Sequence, residues 1–142
     1  MTTRKASAIW KGNLKDGSGT LSTDSGVLSN SQYGFKSRFE SGKGTNPEEL
    51  IGAAHAGCFS MALSLILQEA GFTADKIETQ AAITLDKVAD GFAITSSHLE
   101  VTAKIPGVDA AKFQELADKA KVGCPISKVL NTKITMNAKL ES

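Results

Sequence analysis

The sequence has almost no excess of charge of either sign. Its 142 residues include 16 Lys and Arg against 15 Asp and Glu, without any run of like charge. Aromatic residues are also scarce, at 6% of the chain. Balanced charge removes the electrostatic attraction expected for nucleic acid or anionic lipid, and the lack of rings argues against a platform for stacked bases. We therefore expect neither nucleic acid nor a membrane among the partners.

The first residues lack the apolar run of a secretory signal. After the basic pair Arg4 and Lys5 the chain alternates polar and apolar residues, whereas a signal needs an apolar segment of roughly 7–15 residues. We therefore expect a cytoplasmic protein. In that compartment the two cysteines, Cys58 and Cys124, are more often free, catalytic or metal-bound than joined in a structural disulfide.

One long stretch, residues 50–67, contains no Lys, Arg, Asp or Glu. Its 18 residues reach the length of a membrane-spanning helix. Because it is rich in Gly, Ala and Ser and includes His55, we interpret it instead as a helix that is fully buried within a soluble protein. Its small side chains would let another backbone approach closely, and a symmetric copy of the same helix is one natural neighbour.

The remaining patterns predict an α+β fold in one domain, residues 1–142. Asn46 as N-cap, Pro47 at the first helical position and Gly71 as the stop predict a long helix from 47 to about 70. Asp109 caps a second helix that ends at Gly123, and a short helical turn follows over 125–130. Strands are predicted at 8–10, 20–22, 33–39, 77–87, 92–105 and 133–140.

The two cysteines are the main candidates for chemistry. They are 66 positions apart, which matches neither a CxxC redox motif nor the paired spacing of a zinc knuckle, and two inert buried thiols remain an alternative. Cys124, between Gly123 and Pro125, would sit near a helix N-terminus, which lowers the pKa of a thiol. Cys58 lies in mid-helix, where burial raises the pKa. These arguments favour Cys124 as the more reactive thiol unless a cation lies beside Cys58.

Two segments of the chain resemble motifs of the osmotically induced protein C and organic hydroperoxide resistance (OsmC/Ohr) family. They are residues 44–59, GTNPEELIGAAHAGCF, and residues 122–127, VGCPIS. The resemblance spans the whole chain and is strongest to the osmotically induced branch. It implies antiparallel sheets around a long buried helix in an intertwined homodimer.

The resemblance also implies a peroxidase that reduces organic hydroperoxides. In this reading Cys58 attacks the peroxide and becomes a sulfenic acid, and Cys124 then resolves it to a Cys58–Cys124 disulfide. No metal or prosthetic group is implied, and the reductant is an external dithiol, for which dihydrolipoyl groups are the candidate. This order of the cysteines overrules the preference for Cys124 and requires a cation near Cys58.

Arg38 and Glu48 match the family's active-site arginine and its glutamate partner. A guanidinium could hold a thiolate and orient peroxide oxygens, with Lys36 as the reserve candidate. Without the resemblance, Arg38 reads as an exposed strand charge and Glu48 as an acidic residue stabilised by the helix dipole. Ten helical residues place Glu48 about 15 Å from Cys58. We therefore expect Arg38 and Glu48 of one subunit to complete the active site of the other.

Two further alternatives stay open. His55 and Cys58 are spaced i, i+3, and with Cys124 they could form a three-ligand zinc site, although a buried histidine satisfied by hydrogen bonds is the simpler interpretation. The same cysteine pair could also serve a redox or metal sensor. We assign no role to His98, and expect Phe59 and Met61 to be core or pocket wall.

Overall fold

The structure is a computed structural model that describes residues 1–141. It divides into two units, Met1–Leu50 and a second unit that begins at Ile51. Each unit contains a three-stranded sheet. The predicted single domain stays a prediction.

The first unit is built on an antiparallel sheet in the order β1–β2–β3. Its strands are β1 (Ala6–Lys11), β2 (Ser18–Thr23) and β3 (Ser31–Tyr33). A turn that includes Asp16 and Gly17 joins β1 to β2, and the Asn13 side chain accepts a hydrogen bond from the Asp16 amide at 2.7 Å. Such a local side-chain bond stabilises a turn without help from the rest of the chain.

The predicted strand at 33–39 is wrong over most of its length. Strand β3 ends at Tyr33, and residues Phe35–Phe39 form a short helix, α1. The aromatic residues at its two ends are four positions apart, which places them on one helical face, with ring centroids 5.1 Å apart. The Ser37 hydroxyl accepts a hydrogen bond from the amide of Gly34, the residue at the N-cap of this helix.

The long helix α2 (Pro47–Glu69) confirms the predicted boundaries. The Asn46 side chain accepts a hydrogen bond from the Glu49 amide at 2.8 Å, as an N-cap does. Gly71 follows the helix with φ of 89°, a left-handed conformation that glycine adopts without steric cost.

The second unit contains a mixed sheet in the order β4–β5–β6. Strands β4 (Lys76–Val88) and β5 (Gly91–Lys104) are antiparallel, whereas β6 (Lys133–Glu141) is parallel to β5. The prediction of an α+β fold is confirmed, while the antiparallel sheets that the resemblance implies do not include the parallel pair of β5 and β6. Helices α3 (Ala110–Gly123) and α4 (Pro125–Val129) supply the crossover that a parallel pair needs.

The core of the second unit lies between α2, β5 and α3. It includes Phe59, Leu63, Leu67, Leu99, Val101, Phe113, Leu116, Ala117 and Ala120, all nearly or fully buried. The expectation that α2 is fully buried is wrong for the chain alone. Met61 and Leu65 on its opposite side are 77% and 57% exposed. By length and composition α2 could cross a membrane, a test that core helices of soluble proteins also pass.

Candidate functional site

The two cysteine sulfurs meet inside the second unit. Cys58 lies on α2 and Cys124 lies at the junction of α3 and α4, and their Sγ atoms are 2.8 Å apart. Both cysteines are free thiols. Although 66 positions separate them in the chain, the fold brings them into direct contact.

The surroundings of the two thiols differ in accessibility. Cys124 is fully buried, whereas Cys58 is half-buried. Burial raises the pKa of the Cys58 thiol, and its hydrogen bond with Cys124 raises the pKa further, while a bond from the Ile126 backbone acts against both. None of these influences, among the residues described, is a cation, and the two largest favour the protonated thiol.

The predicted place of Cys124 at a helix start is confirmed. It is the N-cap of α4, and Pro125 occupies the first helical position. The Lys128 amide closes the first turn by donating to the Cys124 carbonyl. The Cys124 side chain is nevertheless fully buried and out of reach of solvent.

His55 is fully buried one helical turn before Cys58. Its Nδ1 lies 2.7 Å from the Ser97 hydroxyl and its Nε2 lies 2.8 Å from the Ser127 hydroxyl. The interpretation of a buried histidine satisfied by hydrogen bonds is confirmed. Because both ring nitrogens are engaged by serines, neither is directed at a metal ion shared with the thiols. Burial lowers the pKa of His55 and so favours the neutral ring.

Arg38 and Glu48 form an ion pair within the first unit. Arg38 donates a hydrogen bond from Nε to Oε1 of Glu48 at 3.0 Å, and its Nη2 lies 2.9 Å from the same oxygen. The Glu48 side chain is 10% exposed and that of Arg38 is 40% exposed. The second carboxylate oxygen, Oε2, is buried and has no hydrogen-bond partner in residues 1–141. The predicted pairing of these two residues is therefore present, although Arg38 lies on a helix and not on a strand.

An apolar cavity of about 300 Å³ opens beside Arg38. Gly19 shapes its wall, since a Cβ atom there would come within 2.6 Å of the rings of Trp10 and Tyr33. Because residue 19 is a glycine and has no Cβ atom, those two rings pack edge to face with their centroids 5.6 Å apart. The lining residues are Trp10, Leu14, Tyr33, Gly34, Phe35, Arg38 and Phe39. This arrangement can hold an apolar group next to a guanidinium.

Several minor expectations need correction. Lys36 was the reserve for Arg38 because residues two apart share a face of a strand, but on helix α1 they point in different directions. Phe59 is core as expected, whereas Met61 is exposed. His98, to which no role is assigned, has its Nε2 2.9 Å from Glu100 on the same strand.

Sequence reasoning missed the serine partners of His55 and the lining of the cavity. Ser97 and Ser127 lie 42 and 72 positions from His55, so no local pattern connects them. Trp10 and Tyr33 lie across the sheet from Gly19, and a glycine in mid-strand was the one available signal of close packing.

Comparison with known proteins gives one consistent family. The family model described as OsmC-like protein matches residues 40–139. The chain is 57% identical to Peroxiredoxin OsmC of Escherichia coli (strain K12), over 98% of this chain and 97% of that protein. It is 36% identical to the organic hydroperoxide resistance protein OhrB of Bacillus subtilis (strain 168), over 87% and 88%. The crystal structure of an OsmC-like protein from Mycoplasma pneumoniae shares the fold, with a TM-score of 0.77 at 18% identity and 99% coverage of each chain.

Proposed function

We propose, since the chain belongs to the OsmC-like protein family, that it is a thiol peroxidase that reduces organic hydroperoxides to alcohols. The observation that carries this proposal is the contact between the Cys58 and Cys124 sulfurs at 2.8 Å. Two free thiols in contact can be oxidised together without a large movement of the backbone.

Cys58 is the attacking thiol in this proposal. It is the half-buried member of the pair, while Cys124 is fully buried. The Cys58 thiolate attacks the terminal peroxide oxygen, the O–O bond breaks, and the alkoxide leaves as the alcohol after taking up a proton. Cys58 becomes a sulfenic acid and the peroxide gains two electrons.

Cys124 completes the oxidative half of the cycle. Its sulfur attacks the Cys58 sulfur, the S–O bond breaks, and hydroxide leaves as water with the proton lost by Cys124. An external dithiol then reduces the disulfide to two thiols and is itself oxidised to a disulfide. We propose dihydrolipoyl groups as this reductant and the cytoplasm as the place of the reaction. The proposed cycle uses no metal or prosthetic group.

Arg38 supplies the cation that Cys58 needs. Burial raises the pKa of Cys58, and a unit charge about 4 Å away would favour the thiolate by up to roughly 4 kcal/mol at an effective dielectric of 20. The guanidinium is partly exposed and held by Glu48, so its remaining donors are free to meet a thiolate and peroxide oxygens. The cavity beside it would take the organic group of the substrate.

Arg38 and Glu48 reach Cys58 from a second copy of the chain. The helix between Glu48 and Cys58 is continuous, and ten residues of it extend about 15 Å. The exposed Met61 and Leu65 on the same helix give a homodimer an apolar surface to bury. The unpartnered Oε2 of Glu48 would also gain from a donor contributed by the partner.

The proposal is tested by consumption of cumene hydroperoxide with dihydrolipoamide as electron donor. We expect turnover in the parent, none in Cys58→Ser, and in Cys124→Ser a single oxidation that stops at the sulfenic acid. Loss of the first oxidation in Cys124→Ser, with Cys58→Ser still oxidised once, would reverse the roles of the two thiols. Absence of even one stoichiometric oxidation in the parent would leave the sensor or inert-thiol alternatives.

A further inference from the structure

The imidazole of His55 joins three elements around the cysteine pair. The residue itself is on α2, its Nδ1 partner Ser97 is on β5, and its Nε2 partner Ser127 is on α4. The ring and Ser97 are fully buried, and Ser127 is 8% exposed. Such a ring fixes the position of α4 relative to the helix that carries Cys58.

Helix α4 carries two groups that meet Cys58. Its N-cap is Cys124, whose sulfur contacts Cys58, and the Ile126 backbone also bonds to Cys58. The helix has only five residues, too few to hold its own position in water. Ser127 is its buried residue, and the His55 ring is bonded to it.

We propose that His55 is a positioning residue for disulfide formation: through Ser127 it holds α4 so that the Cys124 sulfur stays against Cys58. The inference deepens the proposed peroxidase cycle and rests on it for its role in turnover. The step affected is the attack of Cys124 on the Cys58 sulfenic acid, which forms the S–S bond and releases water. Oxidation of Cys58 by peroxide precedes that step and does not use the Cys124 sulfur.

The ring is suited to this role in its neutral form. A neutral imidazole has one donor and one acceptor, and serine hydroxyls can both donate and accept, so either tautomer satisfies both bonds. Burial lowers the pKa of His55, which favours the neutral ring that this structural role requires. A hydrogen bond lost at this depth leaves a buried polar atom unpaired.

Two substitutions at His55 separate its two bonds. In His55→Asn the amide occupies the place of Nδ1, so the bond to Ser97 can be kept while the bond to Ser127 is lost. In His55→Gln the longer amide occupies the place of Nε2, with the opposite result. Ser127→Ala and Ser97→Ala cut the same two bonds from the other side. Each pair therefore contains a variant that releases α4 and a matched control that does not.

The first measurement is the rate at which the Cys58–Cys124 disulfide forms after one equivalent of cumene hydroperoxide is added. Samples are quenched and analysed by mass spectrometry, and dimedone labels the sulfenic acid so that its amount can be measured. We expect Ser127→Ala and His55→Asn to close about fivefold more slowly than the parent, the effect of one hydrogen bond. Ser97→Ala and His55→Gln should stay within about twofold, and Ser127→Thr, which keeps the hydroxyl, should restore closure. Equal slowing in both members of a pair, or parental closure in Ser127→Ala and His55→Asn, would overturn the inference.

The second measurement needs no peroxide. The fraction of the Cys58–Cys124 disulfide is measured at equilibrium in mixtures of reduced and oxidised dithiothreitol. In the two variants that release α4, the ratio of oxidised to reduced dithiothreitol at which half of the disulfide is formed should be about fivefold higher than in their controls. If the parent is not oxidised by peroxide but this shift is present, the proposed function fails and the positioning role stands. If peroxide oxidises the parent but no shift or slowing is found, only the positioning role fails.

Discussion

Replacement of Arg38 by Gln should destabilise the protein through the carboxylate it leaves behind. Glu48 is nearly buried, and its Oε1 accepts a hydrogen bond from Nε of Arg38 and lies 2.9 Å from Nη2, while its Oε2 has no partner among residues 1–141. Removing one member of a buried ion pair costs about 3–5 kcal/mol. Because the Arg38 side chain is 40% exposed, solvent screens the pair, and we expect a smaller loss of about 1–3 kcal/mol in the free energy of unfolding.

The control for this prediction is Lys36→Gln, which removes the same charge from an exposed residue on the same short helix. It should change the free energy of unfolding by less than about 0.5 kcal/mol. The assay is urea denaturation followed by circular dichroism, with thermal unfolding as a second measure. In the latter, Arg38→Gln should lower Tm by about 3–10 °C.

The double variant Arg38→Gln with Glu48→Gln tests the physical cause. If the cost comes from an unpaired buried charge, removing that charge should recover part of the stability lost in Arg38→Gln. The reasoning would be refuted by single variants whose effects simply add in the double variant. It would equally be refuted if Arg38→Gln and Lys36→Gln were indistinguishable.

Three other predictions concern the second unit. The pKa of His55 is lowered in the folded state, so the unfolded chain binds more protons in acid. As the pH drops below about 6.5, the free energy of unfolding should therefore decrease by up to about 1.4 kcal/mol per pH unit. The urea midpoints measured at pH 5 and pH 7.5 should differ less in His55→Gln than in the parent. Met61→Lys should convert the proposed homodimer into a monomer, as measured by light scattering, because the exposed face of α2 would carry a charge, whereas Val122→Lys on α3 should not. The pH at which iodoacetamide alkylates Cys58 half-maximally, measured by peptide mass spectrometry, should be higher in Arg38→Gln than in the parent if that guanidinium stabilises the thiolate.

Local chemistry in the sequence was sufficient for helix boundaries. Asn46, Pro47 and Gly71 each act within one turn of their own position, so the ends of α2 could be predicted without knowledge of the rest of the fold. The same holds for Cys124, since a glycine before it and a proline after it are enough to place a helix start there.

Two kinds of feature could not be predicted from the sequence: segments whose apolar spacing fits both a strand and a helix, and contacts between residues far apart in the chain. Phe35 and Phe39 are four residues apart, a spacing that suits one face of a strand as well as one face of a helix, and the structure has a helix. The parallel direction of β6 depends on the crossover through α3 and α4. The bonds of His55 to Ser97 and Ser127 join residues 42 and 72 positions apart, and hydroxyl partners at such separations leave no pattern along the chain.

The conflict between the two cysteines shows why electrostatics alone is a poor guide to a nucleophile. Cys124 lies at a helix start, yet it is fully buried and its sulfur contacts that of Cys58. Cys58 has a raised pKa but is half-buried, so a substrate can approach its sulfur. In the proposed homodimer, the partner's Arg38 would make this thiol reactive only once the two chains are assembled. Such an arrangement would suit a peroxidase, because an unassembled chain would keep its attacking thiol protonated and protected from oxidation.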